Sequence, residues 1–201
     1  MEGGQANARF RSRIAVEIMS EEARELTKWD YAACALMSDP STFGPFTDIV
    51  AMWRSKFAPD GGLPKRSDFD FLEFRGWWGR ISIARIEQEP FDVRFVLWGT
   101  QLTEWWGVDY TQKLMGTHSI TPDVWVTIEG RYFKEMVSDP FIGIVCGSLD
   151  QHLRPYIKVL GVDLPMSDGA GGIYILTAYV EIKQTDTART VLPKTKFHRT
   201  I

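Results

Sequence analysis

Metal-site and disulfide chemistry are poorly provided for in this chain. It has two cysteines, Cys34 and Cys146, and three histidines, His118, His152 and His198, and none of them are spaced as zinc ligands are. The two cysteines lie far apart, so they read as reduced and buried, which fits a cytoplasmic compartment. Long apolar runs are missing too. Nothing approaches the ~20 residues of a membrane-spanning helix. The start, MEGGQANARFRSR, carries arginines without an apolar segment behind them, so no secretory signal is expected. An excess of positive charge is also absent: 23 basic residues face 26 acidic ones, for a net charge of −3. That balance offers no basic face for nucleic acid.

Catalytic signatures are equally scarce. There is no GxSxG elbow, HExxH helix, P-loop or dinucleotide fingerprint. The glycine-rich stretch Asp168–Gly172 stands between two strand-like segments, where a phosphate cradle would need a helix to follow; it reads as a hairpin turn. The carboxylate pairs Glu21-Glu22 and Glu87/Glu89 fall on faces expected to be solvated. The expectation is therefore a protein that is not an enzyme.

What the chain does have is aromatic bulk, with eight tryptophans and twelve phenylalanines among 201 residues. Hydrophobic residues make up 44% and charged residues 24%, as in a folded domain with or without an extension. Aromatic rings fill cores, line pockets and anchor interfaces, and composition does not choose among these uses.

Along the chain, the segment from Ser20 reads as a helix. Ser20 can cap it, acids fill its first turn, and Leu26, Trp29, Ala33 and Leu36 recur at helical spacing. That stripe can pack on its own domain or form a two-stranded homodimer seam. After the loop SDPSTFGP, a second helix is expected from about Phe46 to Phe57, stopped by PDGG. From residue 62 the pattern turns to strands, ISIARIEQE and DVRFVLWG, followed by short helical pieces. A longer helix starts at Thr121-Pro122, where threonine caps and proline suits the first turn. Three further strands follow: FIGIVCGSL, YIKVLGVDLPM and GIYILTAYVEI. Residues 184–201 lack a pattern and read as a loose surface tail rather than a partner-binding motif. The divisions expected are a helical extension (1–61), a core (62–183) and the tail (184–201). Five strands suggest an α+β layer, one antiparallel sheet with helices on one face. The last strand is apolar at nearly every position, which suggests cover on its second face, with the N-terminal helices as that cover.

Several markers accompany this order. They are Trp53-Arg54, Leu63-Pro64, Arg66-Ser67-Asp68 with Asp70, Gly99-Thr100, Gly107, Asp109 with Thr111, and Leu164-Pro165. Together they resemble the PAS family, and most the single-PAS proteins common in alphaproteobacteria. Phe71, Val96 and Gln112 depart from that group's usual proline, arginine and glycine. The resemblance implies a PAS fold with a five-stranded sheet and a bacterial sensory role in signal transduction. The family's light-sensing members carry a cysteine motif after the second strand, and its haem-binding members a histidine on the long helix. EWWGVDYTQKLMG has no cysteine and the long helix no histidine, so no cofactor is predicted and both a flavin adduct and haem are disfavoured. His118, just before that helix, reads as a capping or surface residue.

A pocket between sheet and helices is then the candidate site. Phe95, Leu97, Trp98, Trp105, Trp106, Leu114, Met115, Tyr132, Met136, Tyr174 and Leu176 are its candidate lining. The same rings can fill the space themselves. Only alternate strand residues face one side, so the set holds members that point away. The functional expectation is a module that binds a small molecule or a regulatory partner, such as a signalling kinase or response regulator, and acts through protein contact. The alternatives are a ligand-free PAS dimerisation domain and, remotely, an enzyme using a PAS-like cavity.

Overall fold

A computed structural model describes residues 28–59 and 61–200. Seven strands form one sheet: β1 (Trp29–Cys34), β2 (Ile81–Gln88), β3 (Phe91–Trp98), β4 (Ile142–Leu149), β5 (Arg154–Ser167), β6 (Ile173–Ile182) and β7 (Phe197–Thr200). Their order across the sheet is β3-β2-β6-β5-β4-β1-β7, and every neighbouring pair is antiparallel. The expected five-stranded PAS layout with one covered face is therefore overturned. Two more strands extend the sheet beyond β4, and helical elements pack on both faces.

The first added strand falls where a helix was expected. WDYAAC pairs residue by residue with β4, from Trp29 opposite Gly147 to Cys34 opposite Ile142. Tyr31 and Ala33 face one side and Cys34 the other, all three buried. The free edge of β4 offers ladder hydrogen bonds and two apolar surfaces, and this tertiary context outweighs a short helical spacing. Trp29 and Ala33 are thus strand residues and not members of a helical seam. Leu36 follows in the turn and packs on the sheet core. Leu26 and the helix start at Ser20 lie outside the described residues.

The second added strand overturns the loose tail. β7 pairs with β1 on the side away from β4. Before it, a short helix (Ala188–Val191) ends in Leu192, which is fully buried. The Thr195 hydroxyl donates to the Thr42 carbonyl at 2.8 Å. The tail is tied at three places.

The helices that pack on the sheet or border the site include α1 (Thr47–Arg54), α2 (Thr100–Trp106), α3 (Pro122–Val124) and α4 (Gly130–Ser138). Between α3 and α4 the chain takes one wide π-helical turn, Trp125–Glu129. One face of the sheet packs against α1: Ile49, Val50 and Trp53 meet Ile144, Leu160, Val162, Leu164 and Leu176. Trp53 Nε1 donates to the Pro165 carbonyl at 3.0 Å, which ties two of the sequence markers together. The opposite face packs against α4, through Tyr132, Phe133 and Met136 against Tyr31, Val145 and Ile175. Residues of β6 alternate between the two cores, which accounts for its unbroken apolar run. The described cover of its second face is α1, inside the expected extension.

Local chemistry sets the connections. Gly99 is needed for close approach, because a Cβ there would strike the Gly79 backbone. Thr100 makes no side-chain cap. Gly107 ends α2 at φ 72°, the left-handed cap that glycine favours. Gln112, at a position where the resembled group commonly has glycine, takes φ 66°. Asp70 caps the turn after it by accepting from Leu72 N at 2.8 Å. No helix among the described residues is long and apolar enough to cross a membrane.

Candidate functional site

On the α4 side of the sheet lies a cavity of about 80 Å³. One water needs only ~10–15 Å³ on a comparable measure, so several waters or a small ligand fit. Its floor is the sheet: Trp29 and Tyr31 from β1, Phe95 from β3, Val145 from β4, Asp163 from β5, and Thr177 and Tyr179 from β6. Its wall comes from the chain after β3, through Trp98, Trp106, Tyr110, Met115, His118 and Ser119. Glu129 and Phe133 close it from the helix above, and Gln151 and His152 from the loop after β4.

Backbone irregularities aim these side chains. The β2–β3 register shifts between Ile83 and Ala84, so Val96 has no partner across the ladder. Such a bulge changes which face the following residues take. Phe95 and Trp98, three positions apart, therefore share the cavity side, and Leu97 goes to the other core. The π-helical turn ends at Glu129 and brings that carboxyl over the sheet; π turns often mark functional positions in helices. Gly130 accommodates the turn, since a Cβ there would sit 2.7 Å from the Trp125 carbonyl oxygen. Glycines on the floor make room for rings. A Cβ at Gly161 would press on the Tyr179 ring at 2.8 Å.

The rings contact one another closely. Trp98 meets Trp106 at 5.3 Å between centroids and Tyr110 at 5.0 Å, both edge to face. Trp106 meets Tyr179 at 5.2 Å and Trp29 at 6.3 Å. His118 and His152 stand edge-on to Tyr110, at 5.0 Å and 6.1 Å.

Polar groups sit among them. Asp163 is buried and satisfied: Tyr132 Oη donates to Oδ2 at 2.7 Å and Thr177 Oγ1 to Oδ1 at 2.6 Å. Burial raises its pKa, and those two hydrogen bonds pull it back. Glu129 is 4% exposed, and burial raises its pKa as well. The Ser119 and Tyr31 hydroxyls lie near enough to favour its charged form, yet Oε2 and Ser119 Oγ have no hydrogen-bond partner among the described residues. The Tyr110 phenol is pushed up to about 12, first by burial and then by the Glu129 charge. His152 is pushed down to about 4 by burial and by His118, so it is neutral near pH 7. No cluster of three or more metal-ligating side chains occurs among the described residues. Both cysteines are buried and unpaired, and they pack in or near the core on the opposite face.

Four of the sequence candidates come together here: Phe95, Trp98, Trp106 and Met115. Tyr132 and Met136 are fully buried behind the wall, and Tyr132 reaches the site through Asp163. Leu97, Tyr174 and Leu176, expected in the lining, belong instead to the opposite core, because they stand on the other face of the sheet. Trp105 packs outside the lining, on the cluster around Trp98. Leu114 bridges to Arg94 at the edge of β3. Trp29 and Tyr31 were missed because their segment read as a helix. Asp163 had a visible sign, a lone acid in the apolar run VLGVDLPM. Glu129 had none, because its inward aim depends on the π turn.

The chain matches no family model, no curated protein and no solved structure.

Proposed function

We propose that this protein binds a small organic molecule in the cavity between the sheet and α4, and transmits its presence through protein contact. The observation that carries the reading concerns orphaned polar atoms. Five buried side-chain atoms lack a hydrogen-bond partner among the described residues: Trp29 Nε1, Ser82 Oγ, Trp98 Nε1, Ser119 Oγ and Glu129 Oε2. All but Ser82 belong to residues that line the cavity. Leaving a buried polar group unmade costs roughly 1–3 kcal/mol, so their concentration at one cavity favours a site completed by a bound partner. A mostly apolar cavity with a few convergent polar groups is also the ordinary form of a small-molecule site.

A ligand there would touch both β1 and the π turn before α4, elements from opposite layers. Binding that favours one packing of these layers over another would alter the surface offered to a partner protein. The test is native mass spectrometry of the purified chain, followed by denaturation and identification of what is released. A stoichiometric small molecule supports the reading. A bare mass, with no change in tryptophan emission on screening small aromatic and amine compounds, overturns it in favour of a ligand-free interaction domain.

A further inference from the structure

The chemistry around the cavity is one-sided. Two carboxylates line it, Glu129 and Asp163, and no described lysine or arginine does. Asp163 has both oxygens engaged, by Thr177 and Tyr132. Glu129 does not, since its Oε2 has no hydrogen-bond partner among the described residues although the residue is almost wholly buried. A buried carboxylate needs a counter-charge or a donor. The Ser119 and Tyr31 hydroxyls lie beside Glu129, and of the two histidines lining the cavity, His118 and His152, His152 is held neutral near pH 7.

Aromatic rings line the same cavity. Trp98, Trp106 and Tyr110 meet edge to face, with Trp29 and Tyr179 against Trp106. Aromatic faces carry negative potential, and groups of them hold organic cations, best when shielded from water. The Glu129 charge is felt at Tyr110, so acid and rings belong to one electrostatic environment. Beside Glu129 Oε2, the orphans lining the cavity among the described residues are the Ser119 hydroxyl and the indole N–H groups of Trp29 and Trp98; the indoles are donors only and call for an acceptor.

We infer that the ligand is a small organic ammonium ion bearing an oxygen acceptor. Glu129 is its counter-ion, the rings of Trp98, Trp106 and Tyr110 surround its charged end, and the indole N–H groups meet its oxygen. This inference rests on the reading of the cavity as a ligand site. An anion would face two carboxylates with no described lysine or arginine to help it. A wholly apolar ligand would leave Glu129 Oε2 and both indoles bare. A metal ion would find one free carboxylate in place of a ligand set.

The test uses the whole chain and two probes of the same shape. Choline carries the charge; 3,3-dimethylbutan-1-ol replaces its nitrogen by carbon and keeps the hydroxyl. Titration calorimetry and tryptophan emission are read for each. Choline is expected to bind at least about tenfold more tightly than the alcohol. Glu129→Gln, which keeps the shape, is expected to abolish that preference. Equal or tighter binding of the alcohol by the wild-type chain overturns the charge assignment and leaves the cavity reading standing. Choline binding untouched by both Glu129→Gln and Trp98→Phe overturns the assignment of the site. Failure of choline to bind at millimolar concentration overturns the ammonium inference; the cavity reading then stands or falls on the co-purified molecule.

Discussion

Tyr132 donates its phenolic hydrogen to Asp163 Oδ2 at 2.7 Å, with both residues buried. The hydroxyl comes from α4 and the carboxylate from β5, so the bond ties the helical layer to the middle of the sheet beside the cavity. Gly143 makes the approach possible, because a Cβ there would collide with the Tyr132 hydroxyl. Tyr132→Phe removes the donor and leaves one carboxylate oxygen bare in a buried place. The expected loss is about 1–3 kcal/mol, read from the urea midpoint at unchanged slope. A midpoint within error of wild type would mean that Asp163 does not depend on this bond.

The buried acids and His152 make opposite contributions to the pH profile of stability. Glu129 and Asp163 have raised pKa values in the fold, so above their ordinary range the folded state holds protons that the unfolded chain has released. Their contribution is therefore greatest in acid and falls as pH rises through their folded pKa values. His152 falls from 6.5 to about 4 on folding, beside His118 and Tyr110. Between those values the unfolded chain binds a proton that the fold does not, so stability declines as pH drops from 6.5 towards 4. His152→Gln is expected to flatten that acid decline, and Glu129→Gln to be at least as stable as wild type at pH 7. Parallel curves for wild type and both variants, measured by denaturant titration from pH 4 to 8, would contradict the placement of these groups.

Gly147 stands opposite Trp29 in the β1–β4 ladder, and a Cβ there would run into the indole. Gly147→Ala is expected to destabilise by about 1–3 kcal/mol, the usual penalty for overfilling a packed site. Because Trp29 lines the cavity, the same change should shift tryptophan emission. An alanine variant with wild-type stability and emission would show that the indole lies elsewhere.

The end of the chain covers an edge. β7 pairs along β1, Thr195 holds Thr42, and Arg199 reaches Glu135 at 3.3 Å. Removing residues 194–201 leaves β1 as an open strand edge, which favours edge-to-edge association. Hydrogen exchange should quicken in β1 at Ala33 and its neighbours, with the β5–β6 pair unaffected. Unchanged protection in β1 would mean that β7 does not hold that edge.

Five of the seven strands were legible because period-two alternation and turn residues are local properties of the chain. ISIARIEQE, DVRFVLWG and the three late runs carry them openly. The same holds for the second helix, whose apolar face recurs at Ile49, Val50 and Trp53, and for the left-handed cap at Gly107. Aromatic abundance around Trp98 and Trp106 pointed to the right region of the chain for a pocket. The carboxylates inside it had no such signature.

Tertiary structure decided the rest. WDYAAC fits a helix or a strand over six residues, and only the open edge of β4 selects between them. The tail has no period of its own and gains a strand from β1. Which ring faces the cavity depends on a bulge at Val96 that shifts parity by one position, so Phe95 and Trp98 turn in and Leu97 turns away. Glu129 turns in because one helical turn is π rather than α. Local sequence determines where the chain can bend and alternate; side-chain direction at bulges, wide turns and shared edges is set by contacts between segments far apart in sequence, and those contacts assemble the site.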